Sequence, residues 1–371
     1  MITVPTRFML LFFLIAGFTV KCNSPQIDGK SNGNNSLKPA TSGLEIFKVT
    51  RDTIYVSVEG SLSRALLIHD KYYAFYEVRD PTSTGSIKKF YTIGKKGKIE
   101  RETKMPKEIN DEYYYKLYYW MGRIVVNAEF NKSTYHLNED KNKFIKEPEF
   151  IQIPLFEDEN YRVTADCRGE FGSTIYLKNK STNTTYSTNS ECPFLVNKLG
   201  DRFIVNTSGV PSDNIVVIKV PLRVKTLTKS NSLEVVPSAA AKTVFSTDNL
   251  GGRFYIPTSF VAKGSLYNLF NSHQNELAFD GKEHVIITKD SVKIGIIDNS
   301  KFKPVYLFKD KFDIKLEQQL SPNYQICTFH TEERIQVGFK KDIPPYMEAK
   351  YGLIEIMGNE IKIHYFFSKK G

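Results

Sequence analysis

Two pairs of carboxylates lie close enough together in this sequence to suggest acid–base chemistry. Glu147 and Glu149 share one face of the chain if that segment is extended, and Asp166 and Glu170 flank a Gly-containing turn. A glycoside hydrolase needs two carboxyl groups about 5 to 10 Å apart across a cleft. Because Asp and Glu are usually solvated or paired with Lys and Arg, the sequence favours a protein with no catalytic residues. Glycan hydrolysis, or a lyase reaction, by paired carboxylates is the alternative.

Other motifs that carry chemistry are missing from the sequence. It contains neither the Gly-x-Ser-x-Gly elbow of serine hydrolases nor the His-Glu-x-x-His pair of zinc proteases. The six histidines are never three or four residues apart. Cys327 and His330 would lie on opposite faces of a strand. The sequence therefore predicts no metal site and no cofactor.

Aromatic side chains are concentrated over residues 113–120. On a strand, alternate members of this run face opposite sides, so one set packs in the core while the other is exposed. Exposed Tyr and Trp bind sugar faces or partner proteins because they offer stiff apolar area with a polar tip; packing between sheets is the simpler interpretation. From side-chain chemistry and position near turns we predict a ligand-binding set: Tyr119, Trp120, Asp166, Arg168, Glu170, Arg202 and Arg253.

The chain has four cysteines, of which Cys22 belongs to the amino-terminal signal described below. Cys167 and Cys192 flank one β-rich stretch, and a disulfide between them would close a loop worth about 3 kcal/mol. Two free buried thiols are the alternative, since the sequence alone does not fix pairing. Cys327 lies in an apolar stretch and is expected to be a buried thiol.

The amino terminus carries an export signal. Arg7 precedes an apolar run over residues 8–20, which is shorter than the roughly 20 residues of a bilayer span and matches a signal peptide. Cys22 follows the run, as in bacterial lipoproteins, where such a Cys is lipidated, although Lys21 stands where a small residue is usual. We predict a signal peptide over 1–21 and membrane attachment through a lipid at Cys22. Simple cleavage and an uncleaved anchor are the alternatives.

Residues 22–43 are rich in Asn, Ser, Gly, Pro and Lys and predict a flexible tether. Residues 44–371 then form the folded domain, placed in the bacterial cell envelope (periplasm or surface) or secreted. The formal net charge is +10, but Lys residues alternate with Glu and Asp, as over residues 95–102, and no nucleic-acid-binding motif accompanies them. We therefore expect no nucleic-acid partner, and the oligomeric state is left open.

Two hairpins can be read near the C-terminus. Residues 352–357 and 360–366 flank Gly358-Asn359, a two-residue turn signal because both positions tolerate positive φ. Residues 276–279 and 284–288 flank a turn that contains Asp280-Gly281, and a further turn is expected at Lys289-Asp290.

Short apolar runs with intervening turn signals recur along the rest of the chain. Residues 53–58, 65–68 and 72–76 predict a meander of three strands. The chain also has 21 Tyr and 26 Phe, and aromatic residues favour strands. Residues 222–242 are Lys-, Thr- and Ser-rich and predict an interdomain linker or a long excursion between blades.

No window shows a sustained helical period, so the sequence predicts an all-β fold. Many meandering hairpins with Gly turns fit a β-propeller, in which four-stranded antiparallel sheets pack around an axis. Usual blade sizes give about five to seven blades. A pair of β-sandwich domains would produce a similar pattern and is the alternative.

Residues 166–176, together with residues 192–205, resemble uncharacterised exported β-propeller-like proteins, lipoproteins among them, of Gram-negative bacteria. The resemblance covers roughly a tenth of the chain and implies the fold rather than a chemistry. We therefore expect a non-catalytic binding protein that recognises a glycan, peptide or protein partner where turns converge at one end of the central channel. A structural envelope component is a further alternative.

Overall fold

Antiparallel sheets built from consecutive strands account for the fold. The structure is a computed structural model, and it describes residues 46–79, 86–167, 172–209, 213–219, 241–247, 253–279, 284–310, 312–331 and 351–368. The predicted signal peptide, Cys22 and the tether lie outside these residues. The described residues form one compact unit, and no helix among them is long and apolar enough to cross a membrane.

The first three sheets take the strands in chain order. Blade 1 contains β2 (Ser61–Ile68), β3 (Lys71–Arg79), β4 (Ser86–Gly94) and β5 (Ile99–Thr103), and the one-turn helix α1 (Lys107–Asn110) follows it. Blade 2 contains β6 (Tyr115–Trp120), β7 (Arg123–Ala128), β8 (Ser133–Asn138) and β9 (Lys143–Lys146). Blade 3 contains β10 (Phe156–Glu157), β11 (Tyr161–Cys167), β12 (Ser173–Asn179) and β13 (Thr184–Ser190).

The remaining sheets repeat this arrangement. Blade 4 contains β14 (Cys192–Leu199), β15 (Arg202–Ser208), β16 (Asp213–Lys219) and β17 (Ala241–Ser246). Blade 5 contains β18 (Arg253–Ala262), β19 (Ser265–Phe279), β20 (His284–Asp298) and β21 (Lys301–Leu307). Blade 6 contains β22 (Asp313–Ser321), β23 (Tyr324–His330), β24 (Tyr351–Met357) and β25 (Glu360–Ser368), with β1 (Lys48–Val56) as a fifth, outer strand.

The arrangement is a six-bladed β-propeller. The first strands of the blades contact one another around the axis, and we call them the inner strands. The turns between first and second strands lie at one end of the axis, which we call the AB face. The prediction of a propeller with about five to seven blades is confirmed, and the alternative of two β-sandwich domains is wrong.

Primed turns define several hairpins of the AB face. Met121 and Gly122, between β6 and β7, have φ values of 49° and 77°. Lys263 and Gly264, between β18 and β19, have 48° and 75°. Positive φ at both central residues is the signature of a type I′ turn, whose twist matches that of paired strands.

Apolar side chains fill the spaces between blades. One buried cluster joins Phe75 and Phe90 of blade 1 to Phe144 of blade 2, and others join blades 3 to 4, 4 to 5, and 5 to 6. Aromatic rings meet edge to face in these clusters, as Phe90 and Phe144 do at 5.0 Å. Burial of these faces is the dominant favourable term in folding.

Buried amides add hydrogen bonds between blades. Asn127 of blade 2 donates from Nδ2 to the carbonyl of Ile151, 2.9 Å away, in the segment that leads into blade 3. Thr134 Oγ1 donates to Asn127 Oδ1 at 2.9 Å and accepts from the Ile151 amide at 2.8 Å. These bonds fix the inner segment of blade 3, where regular strand pairing is short.

The ring closes through β1, which pairs with β25 in parallel from Lys48↔Glu360 to Val56↔Ser368. The predicted meander is therefore wrong for its first strand, while β2 and β3 pair as predicted. Local sequence could not reveal this partner, because the two strands are at opposite ends of the chain.

Two further expectations differ from the structure. Strand β20 continues through Lys289 and Asp290, which pair with Gln274 and His273, so the predicted turn there is wrong. The β19–β20 pair keeps its backbone hydrogen bonds through Lys289 and Asp290, so these polar residues do not end the strand. Residues 220–240 lie outside the described residues, but β16 and β17 on either side of them pair within one sheet, so the prediction of a link between domains or blades is wrong.

Candidate functional site

A cavity of about 440 Å³ lies at the AB-face end of the axis, and we call it the mouth cavity. Its walls come from the ends of β2, β6 and β22, from the segment leading into β10, and from the first residue of β23. The lining residues are Leu67, Ile68, His69, Tyr119, Trp120, Ile153, Pro154, Leu155, Phe156, Glu157, Gln318, Gln319, Leu320, Ser321, Pro322 and Tyr324. A volume of this size is typical of small-molecule sites.

Strand β6 places two aromatic residues in this wall. Tyr115 and Leu117 are buried in the core, whereas Tyr119 and Trp120, where the strand ends at its turn, are half-buried. The His69 ring meets the Tyr119 ring edge to face, with centroids 5.8 Å apart. The cavity therefore offers stiff aromatic surface beside polar atoms.

Gln318 hydrogen-bonds both backbone polar groups of Tyr119, on the edge of β6 that faces the axis. Its Oε1 accepts from the Tyr119 backbone amide at 2.7 Å, and its Nε2 donates to the Tyr119 carbonyl at 2.8 Å. Gln319 Nε2 donates to Asn197 Oδ1 on β14 at 2.9 Å. Blade 6 thus bonds to blades 2 and 4 across the axis, and these amides form the floor of the mouth cavity.

Two polar groups of the mouth cavity wall, the Tyr324 hydroxyl and the Glu157 carboxylate, already have partners within the protein. Burial and the nearby Glu355 carboxylate raise the pKa of the Tyr324 hydroxyl, which donates to Glu355 Oε2 at 2.9 Å. Glu157 lies 2.7 Å from Lys180 Nζ and 3.9 Å from Arg162 Nε. Tyr324 thus stays a neutral donor, and Glu157 is already ion-paired.

Three residues of the predicted ligand-binding set lie on the AB face. Tyr119 and Trp120 line the mouth cavity. Arg202, at the start of β15, is exposed outside this lining and lies 3.9 Å from the carboxylate of Asp201.

Of the other members, Asp166 is not brought to this cavity. Asp166 lies at the far end of β11, where its Oδ1 accepts from the Thr174 amide at 2.6 Å and stabilises the β11–β12 pair. Arg168 and Glu170 lie outside the described residues. Arg253 begins an inner strand instead of following an AB turn, and its side chain is outside the described residues. The described side chains of the set therefore do not form one site.

Several residues of the mouth cavity were missed by sequence reasoning. His69, Glu157, Gln318 and Tyr324 come from three different blades, and no local motif connects them. The one sequence signal that could have found them was position relative to a turn, because His69 lies in the β2–β3 turn and Tyr324 directly follows the β22–β23 turn.

A second aromatic surface lies at the opposite end of β6. Tyr113, Tyr114 and Phe130 are 80%, 54% and 69% exposed. The Tyr114 ring lies 4.9 Å from Tyr113 and 5.1 Å from Phe130 by centroid. We call these residues the aromatic patch. The aromatic run of the sequence thus contributes to the core, to the mouth cavity and to this patch.

Glu147 and Asp166, one carboxylate from each pair that suggested catalysis, have partners outside the mouth cavity, and Glu170 lies outside the described residues. Glu147 lies 2.6 Å from His136 Nδ1 and 3.6 Å from Arg123, which makes it part of an ion-pair group in blade 2. Among the described residues that line the mouth cavity, Glu157 is the one carboxylate.

The described cysteines take two forms, one disulfide and one buried thiol. The structure joins Cys167 to Cys192 in a disulfide with a Cα–Cα distance of 4.9 Å, which links β11 of blade 3 to β14 of blade 4. Cys327 is a buried thiol whose pKa is raised by desolvation. Across the described ranges, no group of three or more His, Cys, Asp and Glu is arranged to hold a metal ion.

Comparisons with known proteins bear on the fold alone. No protein-family model and no curated protein sequence matches the chain. The chain is similar to the β-propeller domain of Myceliophteria thermophila Cps50 (Swd1), with a TM-score of 0.35 and 10% identity over 74% of this chain and 94% of that one. It is also similar to Kuenenia stuttgartiensis hydrazine synthase, with a TM-score of 0.33 and 9% identity over 80% of each chain.

A third similar structure is the β-propeller domain of the trilobed protease from Pyrococcus furiosus. The TM-score is 0.29 and the identity 10%, over 83% of this chain and 96% of that one. Similarities of this size say nothing about what the chain binds.

Proposed function

We propose that this protein is an exported, lipid-anchored binding protein that takes a glycan in the mouth cavity. The observation that carries the proposal is the wall of that cavity, where Trp120 and Tyr119 lie beside the amides of Gln318 and Gln319. Aromatic rings offer flat apolar area to the C–H face of a sugar, and planar polar groups orient its hydroxyls.

The composition of the wall favours binding over hydrolysis. Both glycosidase mechanisms need two carboxyl groups at a defined separation. The described lining supplies Glu157 alone, in an ion pair with Lys180 at 2.7 Å. The cavity also favours a binding role over a purely structural envelope role, which would require no concave site.

Export and lipid attachment are supported by the sequence. The apolar run over residues 8–20 ends shortly before Cys22, and a polar segment follows it. A disulfide, as between Cys167 and Cys192, is typical of proteins outside the cytosol.

A protein partner is the second candidate, and the aromatic patch favours it. Tyr and Phe that are both exposed and contiguous are enriched where proteins associate. The patch and the mouth cavity lie at opposite ends of β6, so their roles can be separated by mutation.

The chain offers a direct test, because Trp120 is its single tryptophan. Titrating the mature protein with a panel of neutral disaccharides should give a saturable change in tryptophan emission for at least one of them. Trp120→Leu, measured by calorimetry, should bind that sugar at least roughly tenfold more weakly, since loss of a central aromatic contact typically costs more than about 1.4 kcal/mol.

Tyr114→Ser, in the aromatic patch, is the matched control and should bind the sugar like wild type. If no disaccharide changes the emission or gives heat, or if Trp120→Leu binds like wild type, the glycan proposal fails. Loss of sugar binding in Tyr114→Ser alone would instead point to the patch.

A further inference from the structure

A second cavity, of about 140 Å³, lies along the axis beneath the mouth cavity, and we call it the axial chamber. The two cavities adjoin, because both are lined by Ile153, Pro154, Leu155, Gln318 and Gln319. The other chamber residues come from inner strands: Arg64, Lys116, Tyr118, Phe194, Leu195, Lys315, Leu316 and Glu317.

The chamber collects positive charge from three blades. Arg64 belongs to β2, Lys116 to β6 and Lys315 to β22, whereas Glu317 is the one carboxylate among the described lining residues. Arg64 Nη1 lies 3.1 Å from Glu317 Oε2, and both side chains are largely buried. Thr328 donates to the other oxygen, Oε1, at 2.7 Å. Glu317 is therefore committed to Arg64 and Thr328.

The other two cations are not matched by chamber carboxylates. Lys116 Nζ is 3.9 Å from Glu129, a residue outside the chamber lining. Within the described part of the chain, no ion pair involves Lys315. Lys315 is exposed by its accessible area, but desolvation by the surrounding protein, with repulsion from Arg64 and Lys116 that outweighs attraction from Glu317 and Glu77, lowers the pKa of its ammonium. Lys315 is one of the residues that line the axial chamber.

A bound anion would balance the excess positive charge of the axial chamber. An ammonium held near two other cations gains from an anion that it can reach directly, and charge-assisted hydrogen bonds to oxyanions are among the stronger ones. The chamber volume corresponds to a few water molecules at about 30 Å³ each, which suits a small polar group and not a folded segment.

We propose that the axial chamber binds a small oxyanion, a carboxylate, phosphate or sulfate, whose direct partner is Lys315 and whose charge is further balanced by Lys116. The oxyanion is either a free ion or the acidic group of a sugar in the mouth cavity; only this second source rests on the proposed glycan function.

Isothermal titration calorimetry on the mature protein tests the proposal, with inorganic phosphate, glucuronate and glucose as probes at constant ionic strength. Wild type should bind phosphate or glucuronate more tightly than glucose. Lys315→Gln should weaken that binding by roughly tenfold or more, because it removes the charge-assisted contact, whereas Lys315→Arg should largely retain it. Lys301→Gln, on the exposed outer strand of blade 5, should match wild type.

The two anionic probes distinguish a free ion from the acidic group of a sugar. Binding of phosphate that depends on Lys315 supports a free-ion site, and binding of glucuronate alone supports an acidic sugar. If neither probe binds, or if Lys315→Gln binds like wild type, the chamber proposal is overturned. Lys315→Gln should fold normally, since it removes an unpaired charge, and equal unfolding temperatures would verify this.

Failure of this proposal is distinguishable from failure of the glycan proposal. Neutral disaccharides that perturb Trp120 emission would uphold the mouth cavity even if no oxyanion binds. Phosphate binding that depends on Lys315 would uphold the chamber even if no sugar binds.

Discussion

His364 is a buried titratable residue of blade 6 that has polar partners on three strands. It is buried, with Nδ1 2.7 Å from Asp52 Oδ1 on β1 and Nε2 2.8 Å from Glu355 Oε1 on β24. Tyr72 of blade 1 places its hydroxyl 3.3 Å from the same Nδ1, and Tyr324 donates to Glu355. One imidazole thus connects the first strand, the last blade and the neighbouring blade.

Glu355 makes this group sensitive to acid. Burial by itself would raise its pKa, but hydrogen bonds from His364 and Tyr324 outweigh burial, and the net pKa is lowered from 4.5. A carboxylate whose pKa is lower in the folded state stabilises the fold above its unfolded pKa. That contribution is lost as pH falls through the folded pKa.

We predict that Glu355→Gln lowers the free energy of unfolding at pH 7 by roughly 2–3 kcal/mol, because a charged hydrogen-bond partner of a buried histidine is lost. Denaturant titrations from pH 7 to pH 3 should show the gap between variant and wild type narrowing below about pH 4.5. Glu360→Gln, which removes the exposed pair with Lys48, should change stability by less than about 0.5 kcal/mol. A gap that is constant with pH would contradict this role for Glu355.

At the scale of elements, the inner strands carry the candidate site. Each has one edge that pairs within its blade and one that faces the axis, where an unpaired backbone group needs a partner. Gln318 supplies that partner for Tyr119, and Asn127 does so for Ile151. Side-chain amides therefore both satisfy strand edges and shape the mouth cavity.

The disulfide acts on the same scale, because it ties two blades together. Cys167 and Cys192 are 25 residues apart, and a closed loop of this length stabilises a fold by about 3–4 kcal/mol in the chain-entropy model. We predict that the double variant Cys167→Ser/Cys192→Ser loses about this much free energy of unfolding in denaturant titrations. Ser181→Ala, at the exposed β12–β13 turn, should stay within about 0.5 kcal/mol of wild type. Equal stability of the double variant and wild type under oxidising conditions would show that the bridge contributes nothing.

For the whole molecule, the ring of blades closes through β1, and the proposed lipid attachment lies on the amino-terminal side of that strand. Strand β1 is the first described strand, and its parallel pairing with β25 completes blade 6. The buried Ile54 and Val56 of β1 join the apolar cluster shared by blades 1, 2 and 6. Strands from opposite ends of the described chain thus close the ring within one blade.

The proposed lipid attachment at Cys22 gives a prediction for the whole molecule. Expression of the full chain with radiolabelled palmitate should label wild type, whereas Cys22→Ala should carry no label, since the lipid would be bonded to that sulfur. Cys327→Ala serves as the matched control and should be labelled like wild type, because Cys327 is buried. Equal labelling of wild type and Cys22→Ala would remove the lipid anchor from the proposed function.

The sequence by itself determined the all-β class and individual hairpins, because alternation and turn chemistry act between neighbours in the chain. The hairpin across Gly358-Asn359 is an example: β24 and β25 pair there from Met357↔Glu360 outward. The same local reasoning placed a turn at Lys289-Asp290, where the ladder in fact continues.

Only the tertiary structure decided which strands meet around the axis. Strand β1 joins β25 across the whole chain, and Gln318 reaches Tyr119 from 199 residues away. Trp120 and Tyr119 could be chosen from sequence by their side-chain chemistry and their position near a turn, but His69, Glu157 and Tyr324 could not be grouped with them. The reason is physical: the mouth cavity and the chamber charge exist only where inner strands of separate blades converge, and no local pattern encodes that convergence.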